Sequence, residues 1–147
     1  MASKGLSAGA ILLLVPLALA GCGEDLTSGQ LVGTWEADKI EFVNQANTSQ
    51  RVDVIQLGMG LTVAYTSDGR YALTVDDNGS ISTATGSWEI VDGRLVWYGD
   101  VDPDPVRFDA SVSGNRLTAT TSDAEYDFAP GGGDEPAILN LEMTRTP

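Results

Sequence analysis

The sequence predicts an all-β domain folded as an eight-stranded antiparallel up-and-down β-barrel. Three observations predict it. Apolar residues recur at every second position through most of the chain after Leu31, the period of a strand with one buried face. The apolar runs are broken by Asp68-Gly69, Asp77-Asn78-Gly79, Asp92-Gly93 and Ser113-Gly114-Asn115, which supply the positive φ of tight hairpins. No long run over the same stretch has helical spacing. Tight hairpins make successive strands neighbours, and a meander with one apolar face closes on itself to remove its edges.

The first strand is expected over 31–43. Its apolar phase changes between Trp35/Ala37 and Ile40/Phe42, so a bulge is expected near Asp38-Lys39, bending the strand as barrel closure requires. Residues 44–59 have no decided period, and 52–57 reads as a short helix or as a strand across one barrel end. Leu61, Val63 and Tyr65 share one face of the strand 60–67, and Tyr71, Leu73 and Val75 one face of 70–76. Trp88 and Ile90 mark 81–91, and Leu95 and Trp97 mark 94–99. Phe108, Ala110 and Val112 alternate through 105–112, Leu117 and Ala119 through 115–121, and Leu139, Leu141 and Met143 through 137–145. Residues 125–128 extend the seventh strand or make a short extra piece.

The leading segment has a different character. Lys4 is followed by an almost wholly apolar run from Ala10 to Ala20. At about eleven residues it is too short to span a bilayer, which takes roughly twenty. A charged start, a short apolar core and small residues at its end describe an export signal. Leu19-Ala20-Gly21-Cys22 contains the only cysteine of the chain. It resembles the lipobox of bacterial lipoproteins, which implies cleavage between Gly21 and Cys22 and acylation of Cys22. Several acyl chains together hold a membrane firmly where one does not. The expected organisation is a signal peptide over 1–21, a lipidated cysteine with a flexible tether over 22–30, and one barrel domain over 31–147. The expected location is the bacterial cell envelope, at the outer membrane where the organism has one. Ordinary secretion after Ala18-Leu19-Ala20 is the competing reading.

Composition excludes several classes of function. The chain of 147 residues has 8 basic and 21 acidic residues, a formal net charge of −13. Nucleic acid and anionic headgroups are therefore disfavoured as direct partners. With no histidine and no cysteine beyond Cys22, Ser-His-Asp and Cys-His catalysis and the usual zinc, copper and haem ligation are ruled out. No enzyme activity and no cofactor are expected. Oxygen ligation of calcium stays open. Asp100, Asp102 and Asp104 alternate as in a calcium loop but lack its glycine and distal glutamate. Asp127, Asp134 and Glu135 come nearer, although Ala129 and Gly131 stand where ligands would sit.

Leu31-Val32-Gly33-Thr34-Trp35 resembles the G-x-W opening of lipocalins and of bacterial lipocalin-like lipoproteins. Thr66 to Tyr71, Gly86 to Ile90, Gly93-Arg94-Leu95, Asn115 to Thr118 and Leu141 to Arg145 resemble the later hairpins in order. The resemblance implies that Arg145 packs over Trp35 and closes one barrel end. It also implies a ligand cavity inside the barrel, for which Tyr65, Tyr71, Leu73, Trp88, Trp97, Phe108, Leu117 and Leu141 are the candidate lining. The leading expectation is non-catalytic binding of a small apolar ligand by a lipid-anchored protein. The alternative is a filled barrel that presents acidic loops to a protein partner.

Overall fold

The computed structural model describes residues 25–147. Cys22 and the leading segment lie outside the described residues. The chain forms a helical turn α1 (Ser28–Leu31) and the strands β1 (Gly33–Asn44), β2 (Arg51–Asp53), β3 (Met59–Tyr65), β4 (Arg70–Asp77), β5 (Ser80–Val91), β6 (Arg94–Gly99), β7 (Val106–Ser113), β8 (Arg116–Tyr126) and β9 (Glu135–Arg145). All pairings are antiparallel. From β3 to β9 each strand pairs with the next, and β1 pairs with both β3 and β9. Those eight strands are a closed up-and-down barrel. Its strands are paired on both sides for most of their length, the first part of β5, before Gly86, lacking a β6 partner.

β2 is an addition that the alternation does not reveal. The edge of β1 away from β9 is shared: Gly33–Glu36 pairs with β3, and Glu41–Val43 pairs with β2. A 3-10 turn, Val54–Leu57, then carries the chain from β2 back to β3. Asp53 starts this turn by accepting the Ile55 amide at 3.1 Å.

The phase change of the first strand is a bulge. The β1–β9 register shifts between Ala37 and Lys39, so Trp35 faces Arg145 at one end and Phe42 faces Leu139 beyond the bulge. A second shift falls between Thr121 and Ala124 and lets β8 run on to Tyr126 against β9. Both bulges bend long strands at the point where the barrel curls.

The up-and-down course gathers the connections 45–58, 78–79, 100–105 and 127–134 at one end, called the mouth. The hairpins 66–69, 92–93 and 114–115 gather at the other, with α1 and the C-terminus. The inner residues near this second end are fully packed. Trp35, Leu31, Val63, Leu95, Leu117 and Met143 are all at or below 1 % exposure. The tether expectation is corrected here for residues 26–30. Leu26 is buried, Gln30 Oε1 accepts the Thr27 amide at 2.9 Å, and Leu31 is wholly buried beside Trp35. The cause is apolar: two leucines spaced across one helical turn have a core to enter.

Candidate functional site

The closed end is locked by an arginine. The Arg145 guanidinium carbon lies 4.3 Å from the Trp35 ring centroid. Its Nη1 donates to the Val32 carbonyl at 2.6 Å, and Nη2 donates to the Gln30 carbonyl at 2.5 Å. Trp35 Nε1 in turn donates to the Leu31 carbonyl at 2.8 Å. The carbonyls around the end of α1 are thus taken up by the two residues that close the barrel. Gly33 makes the approach possible: a Cβ there would stand 2.5 Å from Arg145 Nη1, on a backbone with φ +135°.

Above this seal lies a layer of aromatic rings. Tyr65 and Trp88 meet edge to face at 5.5 Å, and Tyr71 stacks on Trp97 at 4.8 Å. Trp97 also leans on Phe108 at 4.8 Å, and its Nε1 donates to the Tyr65 hydroxyl at 3.1 Å. Burial pushes the Tyr65 phenol far above its ordinary pKa, and the Trp97 N–H offsets this only in part. It is a neutral acceptor fixed in the floor, with no proton to exchange near neutrality. Tyr71 lies flat across β5 because position 86 is glycine: a Cβ there would come within 2.6 Å of the tyrosine ring.

The interior toward the mouth is not filled. A cavity of about 190 Å³ lies among Ile40, Phe42, Met59, Leu61 and Leu73 on one side and Val75, Trp97, Phe108, Leu139 and Leu141 on the other. Every one of these side chains is apolar apart from the Trp97 N–H, which Tyr65 occupies. Phe42 stacks on Tyr126 at 4.6 Å, and Tyr126 meets Phe128 at 5.0 Å, giving the β8–β9 side of the mouth an aromatic edge. Three large apolar side chains are exposed at the mouth end: Leu57, Ile81 and Val101.

A second opening adjoins the first. β5 pairs with β4 from Ser80 onward but with β6 only from Gly86. The sheet therefore parts beside Ser80–Ala84. A pocket of about 400 Å³ occupies the gap, lined by Tyr71, Ala84, Gly99, Asp100, Val101 and Asp102, with Thr83 and Thr85. It neighbours the cavity through the Tyr71–Trp97 stack and the Leu73/Ala84 pair. Arg70 ties the connection down with two bonds to Asp100, at 2.9 and 2.5 Å, and Thr85 Oγ1 donates to the same carboxylate at 2.6 Å. Arg70 first, then Thr85, hold the Asp100 carboxyl down to about 2. A depressed carboxyl stabilises the fold above the ordinary aspartate range and stops doing so as pH falls through about 2.

The candidate residues divide by height in the barrel. Leu73, Trp97, Phe108 and Leu141 line the cavity, and Tyr71 lines the side pocket. Tyr65, Trp88 and Leu117 do not line the cavity; they are sealed in the filled half at 2, 7 and 1 % exposure. The correction has a geometric cause. Alternation tells which face a residue takes, whereas its height follows from strand register. Ile40, Phe42, Met59, Leu61, Val75 and Leu139 complete the lining. Most of them have the inward phase, and Phe42 is found by following the phase past the bulge.

The acids of the last long connection do not converge. Asp127 turns onto its own loop, accepting the Ala129 and Gly131 amides at 3.1 Å each, and Glu135 accepts from Asn44 at 3.3 Å. Among the described residues no group of three acids is placed to hold a metal ion. Asn44 itself is missed by sequence reasoning. It is a buried polar residue on an inward row, satisfied by Gln50 and Glu135, and it pins 45–58 to β9.

No protein-family model and no curated protein matches the chain. Among solved structures it is similar to fatty-acid-binding protein 1 of Echinococcus granulosus, at 12 % identity and a TM-score of 0.44, over 81 % of this chain and 99 % of that one. A likeness of that size carries no weight for fold or ligand, and the barrel stands on its own strand registers.

Proposed function

We propose that the chain is a non-catalytic binding protein that takes a small apolar ligand into the mouth half of its barrel. The observation that carries this is the apolar cavity of about 190 Å³ above a packed floor. It is below the roughly 300–1,000 Å³ of a pocket for a drug-sized ligand. It is close to the ~150 Å³ cavity that takes up benzene. One aromatic ring or a short alkyl chain is the size that fits. No ionisable side chain lines the space, which supports binding without chemistry.

Trp97 is a built-in reporter. Titration of the purified Cys22→Ser chain with 3-phenylpropanol is expected to give a saturable change in tryptophan fluorescence, with a dissociation constant below about 1 mM, or −4.1 kcal/mol. A linear response that does not saturate would count against the reading.

The same proposal places the domain at the cell envelope, held by acyl chains on Cys22. The lipobox-like Leu19-Ala20-Gly21-Cys22 supports it, as does the position of Leu26. Four residue steps separate Cys22 from Leu26, which is buried at the closed end. They span at most about 14 Å, so an anchored barrel would sit with its closed end toward the membrane and its mouth away. Cys22→Ser is expected to shift the protein from the membrane fraction to the soluble fraction of its host. Retention with the membranes would end the anchoring proposal.

A further inference from the structure

The mouth end of the barrel is rich in acids. The mouth-end segments 45–58, 76–80, 99–105 and 127–135 contain nine acids and a single base, Arg51. Arg70 pairs with Asp100 of this set and Arg107 stands just beyond 99–105, whereas Arg94, Arg116 and Arg145 stand toward the closed end. On the inward-facing rows the one basic side chain is Arg145, which is spent on Trp35 and two carbonyls at that end.

An anionic ligand is poorly served by this arrangement. A carboxylate entering the cavity would lose its water and find no cation, which is costly. Its approach would also be opposed by the field of the rim. The opposite charge is well served. Asp102 lines the side pocket beside the cavity; Arg70 and Thr85 donate to Asp100 and not to Asp102, which accepts the Asp104 amide at 3.2 Å. Tyr71 lines the side pocket, its stacking partner Trp97 lines the cavity, and the two linings meet at the Leu73/Ala84 pair; aromatic faces attract cations.

We propose that the ligand is a small organic cation, a single aromatic ring or short alkyl chain ending in an ammonium group. Its tail lies in the apolar cavity, and its head lies in the side pocket against Asp102. This deepens the function proposed above and rests on it.

Three probes of one shape test it: 3-phenylpropylamine, 3-phenylpropanol and 3-phenylpropionate, titrated at pH 7 by tryptophan fluorescence. In about 20 mM salt the amine is expected to bind about tenfold more tightly than the acid, with the alcohol between them. In 0.5 M salt, where the Debye length falls to a few ångströms, the spread should shrink to about twofold. Asp102→Asn, an exposed change that keeps the acceptor for the Asp104 amide, should weaken the amine about threefold and leave the alcohol unchanged. If the alcohol binds and the amine is no tighter than the acid, the charge selection is wrong while the cavity reading stands. If none of the three binds, both fall. An amine preference that Asp102→Asn leaves intact overturns the placement of the head.

Discussion

Trp35→Ala is expected to lower the unfolding free energy by about 5 kcal/mol. Deleting a buried aromatic side chain from a core costs about 3–5 kcal/mol, because transfer and cavity terms add. Trp35 is fully buried, so the whole of that loss applies. Two local losses add to it. The Leu31 carbonyl gives up the indole N–H at 2.8 Å, on a residue that is itself wholly buried, and an orphaned buried acceptor costs about 1–3 kcal/mol. Arg145 gives up its ring at 4.3 Å, about 1 kcal/mol for a partly desolvated cation–π contact. Partial collapse of the site holds the total below the sum. Small domains have about 5–15 kcal/mol in all, so the variant should be only marginally folded. Trp35→Phe keeps a ring under Arg145 and loses the N–H, and should cost about 2 kcal/mol. Urea unfolding of both variants, read as a midpoint shift at unchanged slope, measures this. A loss under 2 kcal/mol for Trp35→Ala would mean that the closed end is not held by this pair.

The same region shows what was legible in the chain and why. Trp35 and Arg145 sit about as far apart in sequence as the domain allows, and only their resemblance to a known pairing joins them. The strands were legible because one-sided burial writes itself as alternation, and the hairpins because tight turns demand residues tolerant of positive φ. The bulge was legible for the same reason: Trp35/Ala37 and Ile40/Phe42 cannot share a face without an extra residue between them.

Other features left no such mark. β2 has only three residues, and the side of β1 it covers is shared with β3, so no period betrays it. Leu26 and Leu31 stand in a stretch that reads as polar and glycine-containing, and their burial depends on a barrel end that exists only once the strands have closed. The division of inner residues into floor and cavity was also hidden. Leu73 and Leu117 follow the same alternation, yet Leu73 lines the open space and Leu117 is sealed. Register and tilt separate them. Both are global properties of the closed sheet.

Leu73→Trp is expected to abolish binding while leaving the barrel intact. Leu73 faces the cavity from β4, pairing with Val63 on one side and Ala84 on the other. Neither neighbour crowds it from across the barrel, because the space it meets is the cavity of about 190 Å³. A bicyclic ring placed there occupies the volume a ligand's single ring would need. Overpacking a filled core costs about 1–3 kcal/mol, whereas filling a void commonly adds about 0.5–2 kcal/mol. The open half of this barrel belongs to the second case, so the melting temperature should hold or rise. The dissociation constant for 3-phenylpropanol should rise at least about tenfold, the equivalent of 1.4 kcal/mol. Leu117→Met, in the sealed half, serves as the control: its ring-free, near-isosteric change should cost under about 1.5 kcal/mol and leave affinity unaltered. The two variants separate a cavity that binds from one that is merely unfilled. If Leu73→Trp stabilises the protein and binding persists, the ligand lies elsewhere, and the side pocket beside Asp102 becomes the whole of the site.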